Sequence, residues 1–447
     1  MTSIGRVQSL DRRIARLAIP ALGSIAAEPL YTLADTAIVG HLGRVPLDSL
    51  AIATSALAIV AWLAIFLSTA TTSSVALLAA RGEDAAAGRA VGAAYAVAAA
   101  TGVVVAAVVV AAAPWVAGLL GARGPVLAGA VGYLRVSAAG LPFLYLSYAG
   151  NGHMIGLANT RATLRIAVSA NVLNVGAEAV LVFGARSGLI GSAWGTVAAQ
   201  ACAAAWYALA SWRAAAVRPR APRSAEVRAL LRDGHRLSVR TVALGVVPLA
   251  ATAVAARLGP VTLAGQQIAN RLWYMLSLSL DALAVPAQVF VSSAIGAGDP
   301  ETAELTGRRT LRLGLLTGCV FGLVTAALAL GVPNLFTTDP AIAHAAVIGL
   351  LAAACTQPLA ALAFVLDGLI LGIADYSAMR RAMILAIAAF VPVAALTARF
   401  HRLGLPGVWA ALGLWLAARA WLLGRRWHAH VTASHISEPE ARHAAMD

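Results

Sequence analysis

The feature that most constrains the fold is a series of apolar runs, each 20 or more residues long, that recur along the whole chain. Of the 447 residues, 60% are hydrophobic and only 12% are charged, about half the charged fraction of a soluble domain. In lipid the backbone polar groups must be satisfied within the segment, so runs of this length cross a bilayer as α-helices. The sequence therefore predicts an all-α polytopic membrane protein, and no stretch is left for a large soluble domain.

We predict twelve transmembrane helices, six in each half. The first half is an N-lobe of residues 1–212, and a cytoplasmic linker, 213–236, joins it to a C-lobe of residues 237–428, which a cytoplasmic tail follows at 429–447. The approximate span cores are 14–39, 49–80, 90–118, 127–157, 162–184, 188–212, 237–257, 264–295, 310–333, 343–373, 378–398 and 405–424.

The two halves repeat each other at a fixed offset. Gly152 opens a glycine-spaced stretch ten residues after Pro142, and Gly368 does the same ten residues after Pro358, so that 368 − 152 = 216. The same step carries Gly82 onto Gly298. Six spans per half is an even number, so both copies enter the membrane from the same side. This predicts a parallel repeat, related by a pseudo-two-fold axis along the membrane normal, with the substrate path between the halves.

Arginine placement predicts the topology. The loops after even-numbered spans and the central linker are rich in arginine, whereas the loops after odd-numbered spans are poor. Positive residues mark the cytoplasmic side, which predicts that both termini and the linker are cytoplasmic. The high alanine, glycine and valine content, with arginine as the sole strongly basic residue, is typical of a GC-rich genome. We therefore expect a multi-pass protein of a bacterial cytoplasmic membrane.

The net charge of +14 does not indicate a nucleic-acid partner, because the arginines fall between apolar runs. Cys202, Cys319 and Cys355 lie inside apolar runs and are expected to pack as small hydrophobic residues. We expect no cofactor other than a coupling ion, no bound metal, a monomer in contact with membrane lipid, and small organic molecules as substrates.

Charged and amide side chains inside the first half are the leading functional candidates, since each intramembrane charge costs about 2.5–3.5 kcal/mol on insertion scales. They form two stripes, each within one face of a helix at about 100° per residue. The stripes are Glu28, Tyr31 and Asp35 on the first span, and Asn171, Asn174 and Glu178 on the fifth. The offset places Ala251, Phe390 and Ala394 where the first half has Asp35, Asn174 and Glu178. Because these stripes are absent from the second copy, we interpret them as functional.

The second half has a different set. Arg240 can pair with Asp281 or with Asp367, and both a structural and a functional role remain open. Asp367 corresponds to Asn151, so a polar side chain occupies that position in both halves. The remaining candidate substrate- or cation-binding residues are therefore Asn151, Arg240, Gln267, Asp281, Gln288 and Asp367.

These residues also carry a family resemblance. Residues 34–43 (ADTAIVGHLG) and 171–178 (NVLNVGAE) resemble first- and fifth-helix patterns of the multidrug and toxic compound extrusion (MATE) family, with glutamate replacing the usual aspartate at 178. Residues 152–164 resemble the glycine-spaced stretch of the family, and 264–268 (AGQQI) resemble its A-x-H-Q-I pattern. Residues 280–284 (LDALA), with Ala287 and Gln288, are similar to the DinF-like branch.

The resemblance implies two six-helix bundles in a V, and export coupled to H⁺ or Na⁺. It assigns Asp35, Asn174 and Glu178 to the cation and substrate region of the N-lobe. The middle of the seventh span has no acidic residue, where Na⁺-coupled relatives carry one, which favours protons. Our hypothesis is that Asp35 and Glu178 share protons that alternate with a cationic or amphipathic organic substrate in a secondary active multidrug antiporter.

Three alternatives stay open at this stage. A lipid-linked precursor flippase of the same wider superfamily has a cationic cavity, whereas the stripes here are acidic. A major-facilitator transporter shares the six-plus-six plan, but its characteristic loop is replaced by Arg81-Gly82-Glu83-Asp84. An intramembrane enzyme would need an H-E-x-x-H motif or a Ser/His pair across spans, and neither is found; we therefore expect no enzymatic activity.

Overall fold

The computed structural model describes the backbone of residues 3–444 and the side chains of residues 10–27 and 29–433, and within these residues it contains helices and no strand. In the N-terminal half, the α-helices are α1 (Ser3–Gly40), α2 (Arg44–Ala80), α3 (Asp84–Leu119), α4 (Gly124–Ala138), α5 (Leu141–Gly156), α6 (Thr160–Ala179) and α7 (Gly188–Arg213). In the C-terminal half they are α8 (Ser224–Arg257), α9 (Pro260–Gly296), α10 (Pro300–Leu328), α11 (Pro333–Phe336), α12 (Pro340–Gly372), α13 (Tyr376–Arg399) and α14 (Gly404–Ala444).

Each of the twelve predicted spans corresponds to a helix or a bent helix pair. Among the described residues, ten helices are long and apolar enough to cross a membrane, and α4 with α5, bent by 49°, makes an eleventh. The remaining predicted span, the sixth, coincides with α7, which is 26 residues long but is made largely of alanine, glycine and serine. Its hydropathy therefore falls short of the other spans, so composition alone supports eleven crossings.

The chain forms two compact units whose boundaries lie inside helices. One unit, the N-unit, comprises Ile19–Gly234, and the other, the C-unit, combines Met1–Ala18 with His235–Asp447. The two boundaries, after Ala18 and after Gly234, are separated by the same offset as the sequence repeat, since 234 − 18 = 216. The first turns of α1 thus belong with the C-unit, and the first turns of α8 belong with the N-unit. The predicted linker, 213–236, consists of a coil at 214–223 followed by the beginning of α8.

The backbone turns confirm that the sequence repeat is structural. Residues with a left-handed backbone recur in register, and glycine, which lacks a Cβ, adopts that backbone at little cost. The recurring pairs are Gly43 and Gly259, Gly82 and Gly298, Ala158 and Ala374, and Gly188 and Gly404.

The recurring glycines are also sites of close helix packing. A Cβ added at Gly152 would lie 2.4 Å from the carbonyl oxygen of Ser68, and one added at Gly368 would lie 2.4 Å from that of Ala284. Here too 284 − 68 = 216. Small residues allow helix backbones in membranes to approach each other closely, so these two glycines hold α5 against α2 and α12 against α9.

The coil before α8 is docked on the N-unit. Val217 is fully buried and packs with Val75 and Val91, and the Arg220 N–H donates to the Gly88 carbonyl oxygen at 2.9 Å. This docking explains why the N-unit extends to Gly234.

Equivalent polar residues cap α6 and α13. Asn159 accepts a hydrogen bond from the Ala162 N–H at 3.2 Å, and Asp375, its repeat partner, accepts one from the Ala378 N–H at 2.9 Å. Asp375 also pairs with Arg426 of α14 at 2.6 Å. Burial raises the pKa of the Asp375 carboxyl group, but these hydrogen bonds and the arginine outweigh burial and hold the pKa below its ordinary value.

We expect Asp375→Ala to destabilise the protein more than Asn159→Ala does. Loss of a cap costs about 1 kcal/mol, and Asp375 also loses a half-exposed ion pair worth up to about 1 kcal/mol. Since the folded-state pKa of Asp375 is depressed, its contribution is present above about pH 4 and is lost as the pH falls further. Thermal unfolding in detergent at pH 7 and pH 3 measures both effects, and equal losses for the two variants at pH 7 would contradict this account.

Candidate functional site

The two acids predicted to couple transport meet inside the N-unit. Asp35 of α1 is 1% exposed and Glu178 of α6 is 0% exposed, and the two carboxyl groups interact directly. The Ser192 hydroxyl of α7 donates to Asp35 Oδ1 at 2.8 Å. Neither oxygen of Glu178 has a hydrogen-bond partner in suitable geometry among the described side chains. The site thus has one carboxyl group that is anchored and one that is not.

Helices α6 and α7 add polar groups around this pair. Asn174, one turn before Glu178, is 3% exposed and donates from Nδ2 to Thr196 Oγ1 at 3.3 Å. Its Oδ1 has no partner among the described residues. Tyr133 of α4 is 1% exposed and interacts with Asp35, Ser192 and Thr196. The site is therefore a buried polar cluster built from four helices.

The geometry is suited to proton exchange. A buried carboxylate without a hydrogen bond or a counter-ion costs several kcal/mol, and a neighbouring carboxylate adds repulsion to that cost. Carboxyl pairs in contact commonly share a proton for this reason. No basic side chain contacts either acid among the described ion pairs of the N-unit, so the protein supplies no counter-ion there and a bound proton would neutralise the pair.

The other residues of the predicted stripes have different surroundings. Asn171 donates from Nδ2 to the Ala27 carbonyl oxygen at 2.9 Å, which ties α6 to α1. Tyr31 is half-buried and lies near Tyr133. Glu28 is within α1, but its side chain lies outside the described residues.

Sequence reasoning missed Ser192, Tyr133 and Thr196, although the repeat offered a signal for them. The 216-residue step places Val408, Gly349 and Leu412 at the corresponding positions of the second half. A hydroxyl group present in one copy and absent from the other is the same pattern that singled out Asp35 and Glu178. The hydroxyl residues were overlooked because, unlike charges, they are common in membrane helices.

The C-unit contains a buried ion network centred on Asp367. Its carboxylate accepts a hydrogen bond from Arg240 Nε at 2.6 Å and another from Arg419 Nε at 3.0 Å, with Arg419 Nη2 closing a bidentate pair. Asp367 and Arg419 are 0% exposed. Arg240 Nη2 also lies 3.6 Å from Asp281, whose side chain is 45% exposed. Asp367 is thus neutralised by two arginines.

Arg419 was not among the predicted residues, although a charge inside the last span marks it in the sequence. Its guanidinium group stacks over the rings of Phe364 and Trp415, at 4.9 and 5.5 Å from their centroids. The corresponding N-unit residue is Ala203.

Asn151, the equivalent of Asp367 in the N-unit, is the centre of a hydrogen-bond network without charged side chains. Asn151 donates to Ser68 Oγ at 3.2 Å and accepts from the Tyr207 hydroxyl at 3.3 Å. Both halves therefore keep a polar side chain at this position, and in each half that side chain joins helices.

The two predicted glutamines differ in their exposure. Gln288 is 6% exposed, whereas Gln267 is on an exposed face of α9. Its neighbour Gln266, which was not a candidate, is 0% exposed and has neither amide atom paired within the described part of the chain.

Sequence comparisons place the chain in a known family. The family model described as MatE matches it twice, over residues 20–180 and 239–398, once in each half. The chain is 30% identical over 422 residues to Protein DETOXIFICATION 44, chloroplastic, of Arabidopsis thaliana, covering 91% of this chain and 80% of that protein. It is 25% identical over 411 residues to DNA damage-inducible protein F of Escherichia coli, covering 90% and 89%.

Solved structures show the same fold. A MATE crystal structure in the bent conformation superimposes with a TM-score of 0.90 at 20% identity, covering 96% of this chain and 98% of that one. A MOP-superfamily transporter from Pyrococcus furiosus, reported with a binding pocket of reverse polarity, gives a TM-score of 0.86 at 20% identity over 96% and 98%. These matches rule out the major-facilitator alternative. The chain belongs to the MatE family and is a MATE-type transporter with a DinF relative.

Proposed function

We propose that this protein is a secondary active antiporter that exports cationic or amphipathic organic compounds in exchange for protons, with Asp35 and Glu178 as the coupling pair. The observation that carries the proposal is the fully buried Glu178 carboxyl group, which lies against the Asp35 carboxyl group and has no arginine partner among the described ion pairs of the N-unit. A proton and a cationic substrate each neutralise such a pair, so the two compete for it.

The surroundings of the pair support protons over Na⁺ as the coupling ion. Ser192 already occupies Asp35 Oδ1, and the Asn174 amide donates its hydrogen to Thr196. Residues 237–257 carry no acidic side chain. In the C-unit, Asp367 is already paired with Arg240 and Arg419. Coupling is therefore proposed to belong to the N-unit alone.

The competing proposal is a flippase for lipid-linked precursors. The two buried arginines of the C-unit favour it, since a pyrophosphate group needs cationic partners. Asp367 and Asp281 offset both charges, and the N-unit cluster is acidic, which is why we prefer an organic cation.

A flux assay separates these possibilities. Purified protein in proteoliposomes loaded with ethidium receives either a pH gradient or a Na⁺ gradient, each imposed alone. We expect the pH gradient to drive dye movement and the Na⁺ gradient to leave it at the rate of protein-free vesicles. Movement driven by Na⁺ alone would refute proton coupling, and transbilayer movement of a fluorescent lipid-linked sugar without dye transport would favour the flippase.

A further inference from the structure

The backbone around Glu178 departs from a regular helix. Helix α6 ends at Ala179 and continues as a π-helical turn, Val180–Gly184, in which the Ala185 N–H donates to the Val180 carbonyl oxygen at 2.9 Å. A π-turn widens the helix by one residue and is frequent at functional sites. In the second half, α13 stays α-helical from the equivalent of Glu178, Ala394, through Arg399.

Helix α7 contacts the backbone of Glu178 through a glycine. A Cβ added at Gly195 would lie 3.0 Å from the Glu178 nitrogen, 3.1 Å from its Cα and 3.3 Å from its Cβ. One turn earlier, a Cβ at Gly191 would lie 2.9 Å from the Leu181 carbonyl carbon. The two glycines are four residues apart, so they form one groove on α7 that receives the end of α6 and its π-turn.

The same helix also holds the other acid. Ser192, between the two glycines in sequence, donates to Asp35. Helix α7 therefore contacts both acids. Its Ser192 hydroxyl group holds the Asp35 side chain, and Gly195 leaves room for the Glu178 backbone.

Comparison with the second half of the repeat shows that Gly191 and Gly195 differ in role. Gly191 recurs as Gly407, which packs against Thr397, whereas Gly195 corresponds to Ala411. Ala411 is 1% exposed, so the second half accommodates a Cβ where its partner helix carries Ala394. The missing Cβ at residue 195 thus accompanies Glu178 and is not a general requirement of the fold.

We infer that Gly195 is a positioning residue for proton coupling: its lack of a side chain lets Glu178 approach Asp35 closely enough for the two carboxyl groups to share a proton. This inference rests on the proposed function. An added methyl group would push the Glu178 backbone away by a few tenths of an ångström and weaken the interaction between the two acids.

The test compares Gly195→Ala with Gly176→Ala, a matched change on α6 where an added Cβ meets nothing within 4 Å. The readout is the pH midpoint of ethidium binding, followed by fluorescence in detergent. We expect Gly195→Ala to move the midpoint to lower pH by about half a unit, which is about a threefold change in proton affinity. Gly176→Ala should keep the wild-type midpoint.

A second arm shows whether Gly195 acts through Glu178. On a Glu178→Gln background, adding Gly195→Ala should no longer move the midpoint, as expected for a coupled pair of sites. An equal shift on both backgrounds, or a wild-type midpoint in folded Gly195→Ala, would overturn the inference.

If Gly195→Ala does not fold, Glu178→Asp replaces it, because this change withdraws the carboxyl group without altering the backbone. It should also lower the midpoint, and an unchanged midpoint would overturn the inference. Failure of the proposed function gives a different result, since dye binding to the wild type would then show no dependence on pH.

Discussion

Asp367→Asn is expected to destabilise the protein by about 3–5 kcal/mol, because it leaves two buried guanidinium groups without their shared counter-ion. Asp367 and Arg419 are fully buried, and Arg240 is 7% exposed. The measurement is thermal unfolding in detergent. Asp281→Asn is the matched control; we expect a smaller cost, because Arg240 keeps its hydrogen bond to Asp367 at 2.6 Å when Asp281, 3.6 Å away, is lost.

A compensating variant tests whether the network is structural. Changing Asp367, Arg240 and Arg419 together to apolar residues of similar volume removes every buried charge of the network. Such replacements are commonly neutral or stabilising, so the triple variant should recover most of the stability lost in Asp367→Asn. A triple variant as unstable as the single one, or a single variant as stable as the wild type, would contradict the interpretation.

Asp35→Asn and Glu178→Gln are each expected to lower pH-driven ethidium export at least about tenfold, equivalent to about 1.4 kcal/mol of barrier. Both changes keep the shape of the side chain while replacing its carboxyl group by an amide, so folding should be preserved. Asp48→Asn is the control for loss of a carboxylate in the same unit, because Asp48 is half-exposed beside Arg44 at 3.6 Å. If either variant exported dye at the wild-type rate under a pH gradient, that result would contradict the proposed coupling.

The sequence was sufficient to predict the membrane class, the repeat and the helices, because apolar length and glycine spacing are local properties of the chain. It also singled out Asp35 and Glu178, which lie on separate helices yet meet in the structure. The offset of 216 residues allowed this identification, because it shows which polar residues of the first half correspond to apolar residues in the second. The orientation in the membrane stays a prediction.

Other features depend on tertiary packing and could not be read from the sequence. The unit boundaries at Ala18 and Gly234 fall within continuous helices, where no change of composition marks them. The π-turn after Glu178 arises where α6 packs against the glycines of α7. The choice between Gln266 and Gln267 depends on the rotation of α9, which neighbouring helices determine.

Counting protons on substrate binding tests the central claim most directly. Isothermal titration of ethidium into the purified transporter, in two buffers of different ionisation enthalpy, gives the number of protons released per dye bound. We predict proton release from the wild type near neutral pH and a smaller release from Glu178→Gln. Dye binding without any proton release, or the same release from both proteins, would contradict competition between substrate and proton at Asp35 and Glu178.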